Sequence, residues 1–223
     1  MKTIKNISVS KLSSLGDGIF SIAMTLLVLE LIPAGERISE APDFNQALIE
    51  EWPVFASFAL GFLVIASIWY DYHALGQYYT ETNPILVWET MFTFFIVTLI
   101  PFGVSLLGHS VNTPHMTWPV FYFGIILFAR SPVTILSIYL ARRKYGGLNL
   151  SKDWPVEGDY FERLSMVLLA VTTAYGAVLI VLSLFNAWLA LALYSVYVIV
   201  RTNPISSWNS VFKFAAARQA RKG

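Results

Sequence analysis

The sequence contains no cysteine, which excludes disulfides, thiolate metal sites and cysteine nucleophiles. Charge is scarce: Asp, Glu, Lys and Arg make up 13% of the 223 residues, against 56% hydrophobic residues. With a mean hydropathy of +0.61, this is the composition of an integral membrane protein. Histidine is limited to His73, His109 and His115, and there is no HExxH, no GxSxG, no phosphate loop and no His/Asp/Glu cluster at ligand spacing. Neither an enzyme nor a cofactor or metal site is indicated. A nucleic-acid surface is also missing, because the basic residues follow membrane topology. No TVGYG-type filter is present, and no internal repeat marks an inverted-repeat transporter.

What is present is a series of apolar runs. A span needs about 20 mostly apolar residues, and six segments meet or approach that: 13–32, 52–75, 85–107, 118–141, 161–184 and 187–200. The runs are continuous rather than alternating, so the expected class is an all-α membrane protein of one domain, not a barrel. The sixth is short and follows the fifth across Phe185-Asn186-Ala187, the turn of a helical hairpin. Pro101 predicts a kink in the third span. Residues 33–51 read as an acidic loop with a short helix near Asp43–Glu51. Residues 142–160 read as a basic, ordered turn containing Gly146-Gly147 and Trp154-Pro155. After Arg201, the spacing of Trp208, Val211, Phe212 and Ala215 predicts an amphipathic basic tail on the membrane surface.

The distribution of lysine and arginine orients the spans. Lys2, Lys5 and Lys11 precede the first. Arg142, Arg143, Lys144, Lys152 and Arg163 lie between the fourth and fifth. Arg201, Lys213, Arg218, Arg221 and Lys222 follow the sixth. Thirteen of the fifteen thus share one side, Arg37 lies opposite, and Arg130 falls inside the fourth span. Both termini are expected in the cytoplasm, which agrees with an even number of spans. The first run is longer than a secretory signal core and carries Asp17 and Glu30, so it reads as a span rather than a cleaved leader.

The first span carries the most chemistry. At 100° per residue, Ser14, Ser21 and Thr25 lie about 60°, 40° and 80° from Asp17 and form a polar stripe with it. Ile22, Leu26 and Leu29 lie at about 140°, 180° and 120°, an adjacent aliphatic ridge. Aliphatic residues in a membrane helix ordinarily face lipid or a neighbour. If symmetric copies met along this ridge, they would instead form a hydrophobic constriction flanked by hydroxyls, the kind of feature that gates channels. Trp69, Asp71 and His73 end the second span at the level expected for Asp17, where a carboxylate–indole–imidazole network could form. Glu89 opens the third span, and Arg130 is the ion-pair candidate inside the bundle, with Pro132 freeing a carbonyl beside it. Glu30 and the acidic first loop would concentrate cations at the outer mouth.

The stretches GIFSIAMTLLVLEL (following Asp17), SFALGFLVIASIWYDYH and TLIPF resemble those of the transmembrane protein 175 family of potassium channels in its prokaryotic form. The match covers the first three spans well and the remainder by topology. The resemblance implies six spans per subunit and a homotetramer in a bacterial plasma membrane. It also implies a central pore lined by the first helices, with potassium as the permeant ion. Carried onto this chain, Ile22 would be the narrowest point, followed by Leu26 and Leu29, with Thr25 as a hydroxyl layer. Lys11, Asp17, Trp69 and His73 would form the packing or gating network at the cytoplasmic end. The family signature at the start of the helix is Arg, three residues, then Phe-Ser-Asp; here Lys11 is followed after three residues by Leu15-Gly16-Asp17, so only the aspartate is kept. Glu89 stands where an asparagine is expected. Two other classes stay open on the sequence alone: a proton-coupled transporter using Asp17, Asp71 and His73 as a relay, and a membrane accessory protein without transport.

Overall fold

A computed structural model describes residues 8–76, 79–148 and 158–202, and the fold is all-α. Helices α1 (Val9–Leu26) and α2 (Leu31–Glu40) are joined by a 3-10 turn, Leu27–Glu30. A short α3 (Phe44–Glu50) follows. Then come α4 (Trp52–Gly76), α5 (Pro84–Ser110), α6 (Thr117–Phe128), α7 (Arg130–Tyr145), α8 (Gly158–Ser183) and α9 (Ala187–Thr202). Among the described residues, five rods are long and apolar enough to cross a membrane: Val9–Glu40, α4, α5, Thr117–Tyr145 and α8. The sixth, α9, has 16 residues and rises about 24 Å.

Prolines set the irregularities. The first helix does not stop at Ile32 as the sequence reading has it, but runs on to Glu40, and the expected loop shrinks accordingly. Pro33 has no N–H to give the Leu29 carbonyl four residues back. The chain tightens there into 3-10 geometry, with the Leu31 N–H donating to the Val28 carbonyl. Because the first turn of a helix needs no intrahelical donors, α2 accepts Pro33 and continues. Pro132 acts in the same way on the Phe128 carbonyl: α6 ends at Phe128 and α7 begins at Arg130, with Ala129 still in right-handed helical conformation between them. Pro101 lies within a continuous α5.

Polar side chains close the helix ends. Ser8 caps α1 and Asn83 caps α5, whose first residue is Pro84. Asn186 accepts from the Leu189 N–H at 3.0 Å, making the hairpin turn between α8 and α9. Gly146, at φ +80, ends α7 in the left-handed conformation. The expected tail helix around Trp208–Ala215 and the Trp154-Pro155 turn lie outside the described residues.

Helix α5 is the hub: it packs on α1, α4, α6 and α7, while α4 also meets α1 and α9, and α8 packs on α6, α7 and α9. Without a hydrophobic drive between helices in lipid, close approach depends on small residues. A Cβ on Gly61 would lie 2.2 Å from Val104, and one on Gly108 would lie 2.8 Å from the Ser57 hydroxyl, so α4 and α5 meet backbone to side chain. Phe20, Tyr72 and Phe94 form an aromatic knot where α1, α4 and α5 join. Trp52 and Trp188 stack at 6.4 Å where α4 and α9 begin, the belt position for indoles at a membrane surface.

Candidate pore helix and the charged groups behind it

Helix α1 buries Leu12, Gly16, Phe20 and Ala23 against its neighbours. Its other side is uncovered: Ile22 is 60%, Leu26 44% and Leu29 54% exposed. Thr25, also exposed, donates to the carbonyls of Ser21 and Ile22 at 3.1 and 2.9 Å, which leaves its oxygen outward as an acceptor. The 3-10 turn sharpens the ridge. Side chains three apart eclipse in that geometry, so Leu29 moves from its α-helical bearing to stand nearly over Leu26. Glu30 closes the turn half-buried.

At the N-terminal end of the same helix the structure brings together three of the four residues named for the network. The Trp69 indole donates to Asp17 Oδ1 at 3.3 Å, and His73 stacks on Trp69 with ring centroids 5.3 Å apart. Lys11 is not in the group: it is exposed and forms no ion pair with Asp17 among the described residues. Six positions apart, the two sit on different faces, because helical neighbours are three or four apart. Tyr72, which sequence reading passed over, donates to the Leu12 carbonyl at 2.9 Å and ties α4 to the start of α1. Gly16, a departure from the family signature, has a packing reason, since a Cβ there would come within 2.7 Å of Tyr72 and 3.0 Å of Phe94.

Asp71 does not join Asp17 and His73, so the proposed relay of the three is split. Two residues past Trp69, it points to the other side of α4. There it accepts a hydrogen bond from Arg201 and lies 3.8 Å from Arg130. Arg130 is also 3.9 Å from Glu89, whose Oε1 accepts from Thr134 at 2.7 Å and from Thr93 at 3.4 Å. Glu89 is thus matched to the arginine in the fourth span, as the sequence reading of Arg130 anticipates. The sequence pattern marks Arg201 only as one of the basic residues after the sixth span. The signal for it was the buried Asp71, which needs a cation at its own level.

At the opposite end of the bundle Arg37 grips Glu51 with both arms, at 2.5 and 2.8 Å, and fastens α2 to the start of α4. The hydrogen bond from Arg37, aided by its charge, holds the Glu51 carboxyl below its ordinary range despite partial burial. A lowered folded-state pKa means that the pair stabilises the protein above the unfolded value of about 4.3. That contribution is lost as pH falls through the lower folded value. Glu51→Gln should therefore melt below the wild type at neutral pH, with the gap closing as the pH is taken below about 4. A gap that does not change with pH would count against the pair.

The site and fold define a polytopic helical membrane protein whose first helix keeps a polar stripe and an aliphatic ridge uncovered. Residues 11–101 match the family described as endosomal/lysosomal potassium channel TMEM175. A potassium channel of Chamaesiphon minutus is 28% identical over 104 residues, 47% of this chain and 51% of its own. One of Streptomyces collinus is 27% identical over 103 residues, 46% and 48%. One of a Chryseobacterium species is 24% identical over 170 residues, 74% and 82%. The chain spans about half the length of the first two. Among solved structures, a lysosomal potassium-selective channel TMEM175 homolog from Chamaesiphon minutus superposes with a TM-score of 0.71 at 21% identity, covering 87% of this chain and 98% of that one. Residues 11–101, its first three spans, are thus similar to the TMEM175 family, and over 87% of its length the chain shares the fold of a TMEM175 homolog.

Proposed function

We propose that the chain is one subunit of a potassium-selective channel that passes ions without a cofactor, in which four first helices meet around a central pore. The observation that carries this reading is the uncovered ridge of Ile22, Leu26 and Leu29 on a helix whose opposite face is packed on α4 and α5. One chain supplies one such helix, so a pore requires a closed ring of copies. Relatives named as potassium channels supply the ion. Ile22 forms the narrowest ring, Leu26 and Leu29 extend it, Thr25 lines it with oxygen, and Glu30 draws cations to the outer mouth. Asp17, Trp69 and His73 brace the inner end. Both termini face the cytoplasm of a prokaryotic cell, following the positive charges.

The test is ion flux into liposomes holding the purified protein, with potassium and sodium compared, together with the mass of the detergent-solubilised particle. An ohmic potassium flux exceeding that of sodium, from a particle of four chains, is expected. Saturating flux strictly coupled to protons, or inert liposomes, would overturn the channel reading. The split of Asp17 and His73 from Asp71 leaves the proton relay without a path through these side chains.

A further inference from the structure

Behind the pore helix, within a single subunit, lies a cavity of about 120 Å³ that reaches from Val64 and Ile96 to Tyr79, Leu148 and Phe161. Arg130, Arg201, Asp71, Glu89, Thr134 and Ser165 line it. The carboxylates are already engaged, Asp71 by Arg201 and Glu89 by Thr134. The donors are not. Arg130 stands beyond hydrogen-bond length from both acids, at 3.8 and 3.9 Å, and its buried Nε has no hydrogen-bond partner. Ser165 is 3% exposed and its hydroxyl is also unpaired. Buried donors without acceptors are rare in folded proteins, and two of them on one cavity describe a ligand that brings acceptors.

We propose that this cavity binds a phosphate group. The planar guanidinium fork of Arg130 fits two oxygens of an oxyanion at once, and Ser165 can donate to another. The two acids oppose an anion. Arg201 offsets Asp71, however, and Arg143 and Lys144, in the last turn of α7, add positive charge on the helix that carries Arg130. The phosphate comes either free from solution or on the headgroup of a phospholipid in the adjoining leaflet. The site is separate from the pore, and its occupancy does not depend on the channel reading.

The experiment uses the full chain in phosphatidylcholine nanodiscs, with melting temperature as the readout. Inorganic phosphate, compared with chloride at equal ionic strength, should raise the melting temperature saturably. Ser165→Ala should raise the half-saturating concentration about tenfold, the loss expected for one hydrogen bond to a charged group. Arg130→Lys, which keeps the charge and loses the fork, should abolish saturation. Stabilisation by phosphatidic acid in the disc but not by free phosphate, weakened in the same variants, assigns the lipid as the source. No stabilisation by either, or equal stabilisation of wild type and Ser165→Ala, overturns the proposal.

Discussion

Alanine at position 22 is expected to lower the potassium-to-sodium permeability ratio by roughly tenfold, a change of about 1.4 kcal/mol in the difference between two barriers, while conductance rises. An aliphatic ring offers an ion no ligand. It discriminates by being too narrow for the full hydration shell, and sodium, which holds its water more tightly, meets the higher barrier. Removing the branched chain beyond Cβ from every copy widens the ring at one level and lets water pass with the ion. The geometry makes Ile22 the test position because it is 60% exposed and follows the buried Phe20 by two residues, so its side chain is free of the subunit's own core. Val178→Ala is the control: it is 65% exposed on α8, a helix that packs on α6, α7 and α9 rather than α1. Reversal potentials under bi-ionic conditions on the reconstituted protein measure the ratio. An unchanged ratio in Ile22→Ala removes Ile22 from the filter, and an equal loss in Val178→Ala would make the effect nonspecific.

The bundle was legible because lipid imposes simple rules on sequence. Uninterrupted apolar runs mark the five rods long enough to cross a membrane and the shorter α9, and Asn186 marks the turn between α8 and α9. The contact of Asp17 with Trp69 was legible from depth alone, since both had to lie at the same level of the membrane. What escaped depended on direction rather than depth. Pro33-Ala34-Gly35 reads locally as a stop, yet a proline placed in a first helical turn breaks no hydrogen bond, and the helix passes through it. Lys11 and Asp17 share a level but not a face. Asp71 and Arg201 are 130 positions apart, and their meeting depends on how α4 and α9 pack, which no local pattern records. Gly16 looked like a loss from the family signature. Only the packing of Tyr72 and Phe94 against it shows why a side chain does not fit.

The cluster of Arg130, Asp71, Glu89 and Arg201 yields the second large effect. Arg130→Met is expected to cost about 3–5 kcal/mol, the usual result of removing one partner from a buried ion pair. Thermal unfolding in nanodiscs would report it as a large fall in melting temperature. The cost falls unevenly on the two acids. Asp71 keeps Arg201, but among the described residues Glu89 keeps only the hydroxyls of Thr134 and Thr93, too little for a largely desolvated carboxylate. Adding Glu89→Gln to Arg130→Met should therefore recover most of the loss, because the neutral amide still accepts from Thr134 and no longer needs a cation. Adding Asp71→Asn instead should recover nothing and lose more, since it leaves the Arg201 guanidinium without its counter-charge. The two double variants share a distance from Arg130 of nearly the same length, 3.8 and 3.9 Å, so a purely distance-based account predicts that they behave alike. Only the difference in second partners separates them. Equal rescue by both, or by neither, would show that Arg130 is held in the bundle by packing rather than by charge.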